Sequence, residues 1–274
     1  MAVTGPSLTP VLSSLTTHPV LTLVSATAAL AYAALAGVHR RLSPGQTRSL
    51  LAVAWLLHLL VLLAGLFAQP PRFGFAPALS VTAWLVLTVY LVESRLYPQM
   101  RARSNLAVLG TVAMLMALLF PGAHYPALRS AWLPLHWALG IAAYGLIAAA
   151  VVHAWLMQRA EKAMRAGASL DTAMPLLTLE RLTFRFVGAG FVLLTATLLA
   201  GGWFSELLNE RWVWNHKTTF SVLSWLTLGV LLLGRWRLGW RGRTAIRMLY
   251  LSAGLLLLGY VGSRFVLEVV LQRA

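Results

Sequence analysis

The sequence predicts an all-α, polytopic membrane helix bundle of about eight transmembrane helices with both termini outside. Three observations carry that prediction. Hydrophobic residues fill 59% of the 274 positions and charged residues only 11%, whereas a soluble domain carries roughly 25% charge. So little charge cannot clothe a water-soluble globule, and lipid must solvate much of the chain. Eight apolar runs approach the ~20 residues needed to cross hydrocarbon. The basic clusters between them alternate between rich and poor, which is how orientation is encoded in a multispan protein.

The runs fall at 19–38, 49–68, 76–97, 104–120, 131–157, 182–204, 217–234 and 246–270. No basic segment precedes the first, which therefore reads as a retained helix and not a cleaved signal peptide. The fourth is the shortest and stops at Pro121-Gly122, because proline cannot extend the hydrogen-bond ladder. The fifth is long enough to project past the bilayer. Between runs, Arg40, Arg41 and Arg48, then Arg95, Arg101 and Arg103, then Arg159, Lys162, Arg165 and Arg181, and finally Arg235, Arg237, Arg241, Arg243 and Arg247 make the rich connections. The alternate ones hold only Arg72, Arg129, Arg211 and Lys217. The positive-inside rule then puts the arginine-rich side in the cytoplasm of a bacterial inner membrane. The longest connection, 158–181, opens as a polar helical extension broken at Gly167; a short amphipathic surface helix and a solvated linker both fit it. The chain reads as a single transmembrane domain over 1–274.

Several function classes are excluded. The net charge of +15 invites a nucleic-acid partner, but the basic residues sit in short loops between spans, so the partner is the lipid bilayer. With no cysteine there is no disulfide framework, no thiolate metal site and no covalent heme attachment through C-x-x-C-H. No phosphate loop, G-x-S-x-G or H-E-x-x-H occurs. The intramembrane acids are few: Glu93 near a cytoplasmic end, Glu206 near an outer end, and Glu268 at i+4 from Arg264. They form no relay, which argues against a proton-coupled pump, and no internal repeat supports an inverted-repeat transporter.

Histidine is then the remaining strong borderline metal ligand. His58 lies mid-span in the second run, where an imidazole must find a partner inside the bundle; a hydrogen bond to a neighbouring helix and a ligand role both fit. His136 opens the fifth run, with Gly140 and Tyr144 at i+4 and i+8 on the same face. A small residue one turn from a histidine lets a flat macrocycle lie against a helix, and neutral imidazole is an axial ligand for heme iron. An interfacial histidine beside an aromatic belt fits equally. His216 opens the seventh run at a similar depth, among Trp212, Trp214 and Lys217. His124 is a weaker third candidate. His153, 17 residues after His136, is rotated off its face, which argues against a stacked diheme arrangement.

The stretch Tyr125-Pro126-Ala127-Leu128-Arg129-Ser130-Ala131-Trp132-Leu133-Pro134-Leu135-His136, running on to Tyr144, resembles the helix of cytochrome c assembly proteins (the CcsA/CcmC superfamily) that opens with an outer heme-ligand histidine. Met174-Pro175-Leu176-Leu177 and Leu179-Glu180-Arg181, leading into 191–195, are similar to the next helix of that family. Trp212-Val213-Trp214-Asn215-His216-Lys217-Thr218-Thr219-Phe220 looks like a worn form of its tryptophan-rich heme-binding motif, and Gly239-Trp240-Arg241-Gly242-Arg243 matches the loop that follows. The resemblance covers residues 125–262 and lies nearest the YpjD/HemX-like eight-helix branch. In the family motif Asp-Pro-Lys-Glu stands where this chain has Asn215, His216, Lys217 and Thr218, the inner histidine after the seventh helix falls on Gly234, and a second outer histidine has no counterpart near Gly262-Ser263-Arg264.

The resemblance implies a heme-handling membrane protein that holds or delivers a b-type, non-covalent heme near the periplasmic face. On this expectation His136 is the first axial ligand and His216 the second, the latter inferred from its position and not carried over from the family. Trp212, Trp214 and Lys217 hold the ring and a propionate, and His58 is a deeper contact. Other cytochrome c maturation proteins are the expected partners. A heme-free accessory or regulatory protein that kept the fold, and a small-molecule transporter, are the alternatives; none of these makes the chain an enzyme.

Overall fold

A computed structural model describes residues 19–38, 41–67, 72–96, 103–124, 133–167, 175–207 and 214–271. These form eight helices: α1 (Pro19–Val38), α2 (Pro44–Leu66), α3 (Phe75–Leu96), α4 (Arg103–Leu119), α5 (Leu133–Arg165), α6 (Leu176–Leu207), α7 (His216–Leu238) and α8 (Gly242–Val270). A two-residue antiparallel pairing, β1 (Arg72–Phe73) with β2 (Ala123–His124), is the only extended structure among the described residues. Six of the helices are long and apolar enough to cross a membrane, and α1 and α4 contribute the shorter apolar segments Thr22–Val38 and Asn105–Leu119. Large apolar side chains such as Leu30, Leu199 and Leu233 stand 69%, 70% and 56% exposed, an arrangement that suits hydrocarbon and not water. The all-helical, multi-pass membrane fold expected from the sequence is the fold found.

Two helices outrun their apolar stretches. α5 continues to Arg165 and α6 starts at Leu176, so the connection expected over 158–181 shortens. The extra turns are polar, because a helix leaving hydrocarbon can carry charge once it reaches the headgroups. Glu161 and Arg165 pair loosely at 4.0 Å, and Gly167 ends the segment in the left-handed region at φ 71. Elsewhere the helix starts are written locally. Ser43 and Gln46 close a reciprocal capping box on α2 at 3.2 and 2.9 Å, with Pro44 at the first helical position.

The helices divide into two compact units. In the first, comprising 1–91, 101–127 and 264–274, α1 packs against α2 and α4. Tyr32 is buried over Gly110, where an added Cβ would stand 3.0 Å from its ring. Trp55 stacks on Trp84 at 5.0 Å and donates to Thr88 Oγ1 at 2.8 Å, joining α2 to α3. Phe75 gathers Phe120 and Phe265 at 5.1 and 5.3 Å. The Glu268 carboxylate lies against Gly74, 2.7 Å from where a Cβ would sit. It thus meets the positive end of the α3 dipole at a position that only glycine leaves open.

In the second unit, comprising 92–100 and 128–263, α5 and α6 form the closest pair. Gly190 makes that approach possible: a Cβ there would stand 2.8 Å from Ile147 Cγ1. Gly190→Val is expected to destabilise the protein by about 1–3 kcal/mol through overpacking. Adding Ile147→Ala should recover most of the loss in denaturant unfolding in detergent; simple additivity of the two changes would contradict the contact. Small polar residues tie the rest together, as in other membrane bundles. Trp225 Nε1 donates to Thr195 Oγ1 at 2.8 Å between α7 and α6, and Phe191 stacks on Trp225. Buried Ser224 and Ser252 join α7 to α8, the Ser224 hydroxyl lying 3.0 Å from the Ser252 carbonyl.

Candidate functional site

His136 occupies the first turn of α5 and is half-buried against α6. Its ring lies across the bare backbone of Gly201, with Cε1 3.3 Å from the position a Cβ would take, and it hydrogen-bonds the Thr197 backbone. A backbone contact of this kind holds the plane of the ring against α6. Metal-ligating histidines are oriented in this way. One turn on, a Cβ added to Gly140 would stand 3.5 Å from the Thr197 methyl, at ordinary contact distance. The His136–Gly140 stripe is therefore applied to α6.

Tyr144, the third member of that stripe, reaches α8 instead. Its hydroxyl donates to the Leu256 carbonyl and also meets the Tyr260 backbone. Leu256 and Tyr260 are an i, i+4 pair, so the phenol enters the ladder where an α-helical bond would close. The helix responds with a π segment over Leu258–Gly262, as insertion of a side chain into the ladder produces. Tyr144→Phe removes that partner, and leaving the buried carbonyl unpaired is expected to cost about 1–3 kcal/mol. Hydrogen exchange at the amides of 257–262 should quicken with it; unchanged stability and exchange would contradict the insertion.

α7 brings its first residues to the same stretch of α8. Asn215 caps the helix by accepting from the Thr218 amide at 3.0 Å, which sets exposed His216 and then Lys217 as its opening residues. The Lys217 ammonium stands 5.4 Å over the Tyr260 ring, and Phe220 and Ser221 pack on Gly259. Tyr144 and Lys217 thus converge on Leu256–Tyr260. Trp214 is 66% exposed beside the cap, while Trp212 and the motif over 125–132 lie outside the described residues.

His58 belongs to the other unit. It is fully buried, with Nε2 2.8 Å from Ser80 Oγ and Nδ1 3.4 Å from Tyr32 Oη. Both ring nitrogens are therefore engaged by protein. At Gly234, where the resemblance aligns an inner histidine, the Trp240 indole folds back so closely that a Cβ would clash with its Cε3. Sequence reasoning missed one pair altogether: His153 Nε2 lies 2.8 Å from Glu93 Oε2 with both side chains buried. Two polar residues near the same end of spans running in the same direction were the available signal.

A family model described as cytochrome C assembly protein matches residues 44–271, across both units. The chain belongs to the cytochrome c assembly family. Among its relatives, an uncharacterized 28.8 kDa protein in the nifR3-like 5′ region of Azospirillum brasilense is 35% identical over 146 residues, 51% of this chain and 53% of the relative. The cytochrome c biogenesis protein CcsA of Nostoc punctiforme is 39% identical over 67 residues, 24% of this chain and 19% of the relative. CcsA of Gloeobacter violaceus is 30% identical over 104 residues, 38% and 31%. The chain thus spans about half the length of the first and less of the others. No solved structure matches it. Membership bears out the family resemblance read from the sequence, and the family match begins well before residue 125.

Proposed function

We propose that this member of the cytochrome c assembly family holds or delivers a non-covalent, b-type heme near the periplasmic face of a bacterial inner membrane. Its arginine-rich loops would lie in the cytoplasm, its termini outside, and its partners would be other cytochrome c maturation proteins. The observation that carries the proposal is the setting of His136: an imidazole at the membrane edge, resting on glycine, oriented by a backbone carbonyl as metal-bound imidazoles are. That donor set fits a heme. Heme held there would supply an iron for imidazole to bind and propionates for a cation to meet.

In this reading His136 would hold the iron first and His216 second. Lys217, held over Tyr260, offers its ammonium to a propionate, as a point charge suits a carboxylate. Trp212 and Trp214 supply apolar walls. Gly140 and Tyr144 set the spacing between α5 and its neighbours. His58, with its ring nitrogens engaged by Ser80 and Tyr32, takes no part in this reading. With no histidine at Gly234 or near Gly262-Ser263-Arg264, bond-making between heme and apocytochrome would fall to another protein. Within the family, the chain would fall nearest the YpjD/HemX-like eight-helix branch.

The heme-free accessory reading draws support from Gly140, which Thr197 covers, and from Trp240, which fills the space at Gly234. Acid-acetone extraction of protein purified from heme-fed cells separates the two. Extractable heme near one per chain supports the holding role; heme far below stoichiometry supports the accessory.

A further inference from the structure

We propose that the arginine-rich end of α6 and α7 is a binding site for the phosphate headgroup of an anionic phospholipid. A cavity of about 400 Å³ opens there, lined by Arg181 and Arg185 of α6, Arg235 at the end of α7 and Arg241 beyond it, with Glu180 as the only acid in the lining. Four guanidinium groups against one carboxylate leave a net charge of +3.

The cavity is built in two layers. Glu180 accepts from Arg235 Nη1 at 2.8 Å and lies 3.4 Å from Arg241 Nε. The Arg235 guanidinium also lies flat on the Phe184 ring at 3.6 Å. Two cations are thereby fixed in place by one acid. Arg181 and Arg185 have no hydrogen-bonding or ion-pair partner among the described residues, both are exposed, and they stand at i, i+4 on one helix face. Like charges at that spacing repel, so the pair is most stable with an anion between them. A phosphate has the charge and the acceptor oxygens that guanidinium forks match.

The surroundings select a lipid over a soluble anion. Leu177, in the lining itself, is 72% exposed, and Trp236 and Leu238 beside Arg235 are 73% and 69% exposed. Cations flanked by unburied apolar side chains at the end of two spans match a ligand that is charged at one end and apolar below it. Basic pockets between membrane helices recognise anionic headgroups on these terms. This site is separate from the histidines and does not depend on heme.

The test is titration of the detergent-purified full chain, followed by native mass spectrometry, with short-chain phosphatidylglycerol, short-chain phosphatidylcholine and inorganic phosphate. Phosphatidylglycerol should give a saturable adduct at least about tenfold tighter than either of the others. Arg181→Gln with Arg185→Gln should bring phosphatidylglycerol to the level of phosphatidylcholine. Arg243→Gln with Arg247→Gln, equal in charge change but outside the cavity, should not. Equal binding of the two lipids by the unmodified protein would overturn the site without recourse to any variant. So would equal losses in both double variants, which would reduce the effect to surface charge. Phosphate binding as tightly as the lipid would overturn the lipid assignment.

Discussion

Replacing His153 with alanine is expected to destabilise the protein by about 3–5 kcal/mol, the cost of stripping one partner from a buried ion pair. The geometry explains why. His153 Nδ1 lies 2.7 Å from the Ala149 carbonyl and can only donate to it, while Nε2 lies 2.8 Å from Glu93 Oε2. Imidazole and carboxyl are thus each other's partner, with both side chains buried. Alanine at 153 leaves Glu93 5% exposed and facing apolar packing that includes Phe186. Glu93→Ala should cost a similar amount. The double variant Glu93→Leu with His153→Phe removes both polar groups and is expected to lie within about 1 kcal/mol of the original, since apolar isosteres often replace buried pairs without loss. Denaturant unfolding in detergent checks all three. Losses under 1 kcal/mol in both single variants would mean that the pair is solvated and not buried.

His136→Ala is expected to lower heme occupancy at least tenfold, with the fold intact. The imidazole lies in the first turn of α5 on top of Gly201, and its removal deletes the ligand while leaving the Gly190–Ile147 contact further along α5 undisturbed. Gly201→Val tests the support beneath the ring. A side chain there would meet His136 Cε1 at 3.3 Å and turn the imidazole away from Thr197, and loss of such an orienting contact typically costs 10–100-fold in metal affinity. Exogenous imidazole should restore heme to His136→Ala but not to Gly201→Val, because only the first leaves a vacancy of the right shape. Occupancy is read from the extracted heme. Unchanged occupancy in both variants would remove His136 from the site.

The helices were largely legible in the sequence, because hydrocarbon demands long apolar runs and the runs are interrupted by arginine, proline and glycine. Their ends were less so: α5 and α6 extend through polar residues, where composition no longer distinguishes helix from loop. Asn215, read only as a departure from a motif, proved to be the cap that starts α7 at His216. What the sequence hid are contacts between distant positions. Glu93 and His153 are 60 residues apart, Glu180 and Arg235 are 55 apart, and no local periodicity links either pair. The π segment over Leu258–Gly262 was equally hidden, since the phenol that enters the ladder comes from Tyr144, 112 residues before Leu256. The His136–Gly140–Tyr144 stripe was visible as a helix face, but nothing in its spacing could say that its members are applied to two different helices.

We propose that the first turns of α5 and α7 hold one heme through His136 and His216. The visible spectrum of the full chain, purified in mild detergent from heme-supplied cells, tests it most directly. The account predicts near-stoichiometric heme with a low-spin, bis-imidazole spectrum that sharpens on reduction, is abolished by His136→Ala and is converted to a high-spin form by His216→Ala. A protein that stays colourless after heme feeding, or a Soret band that neither substitution alters, would contradict it.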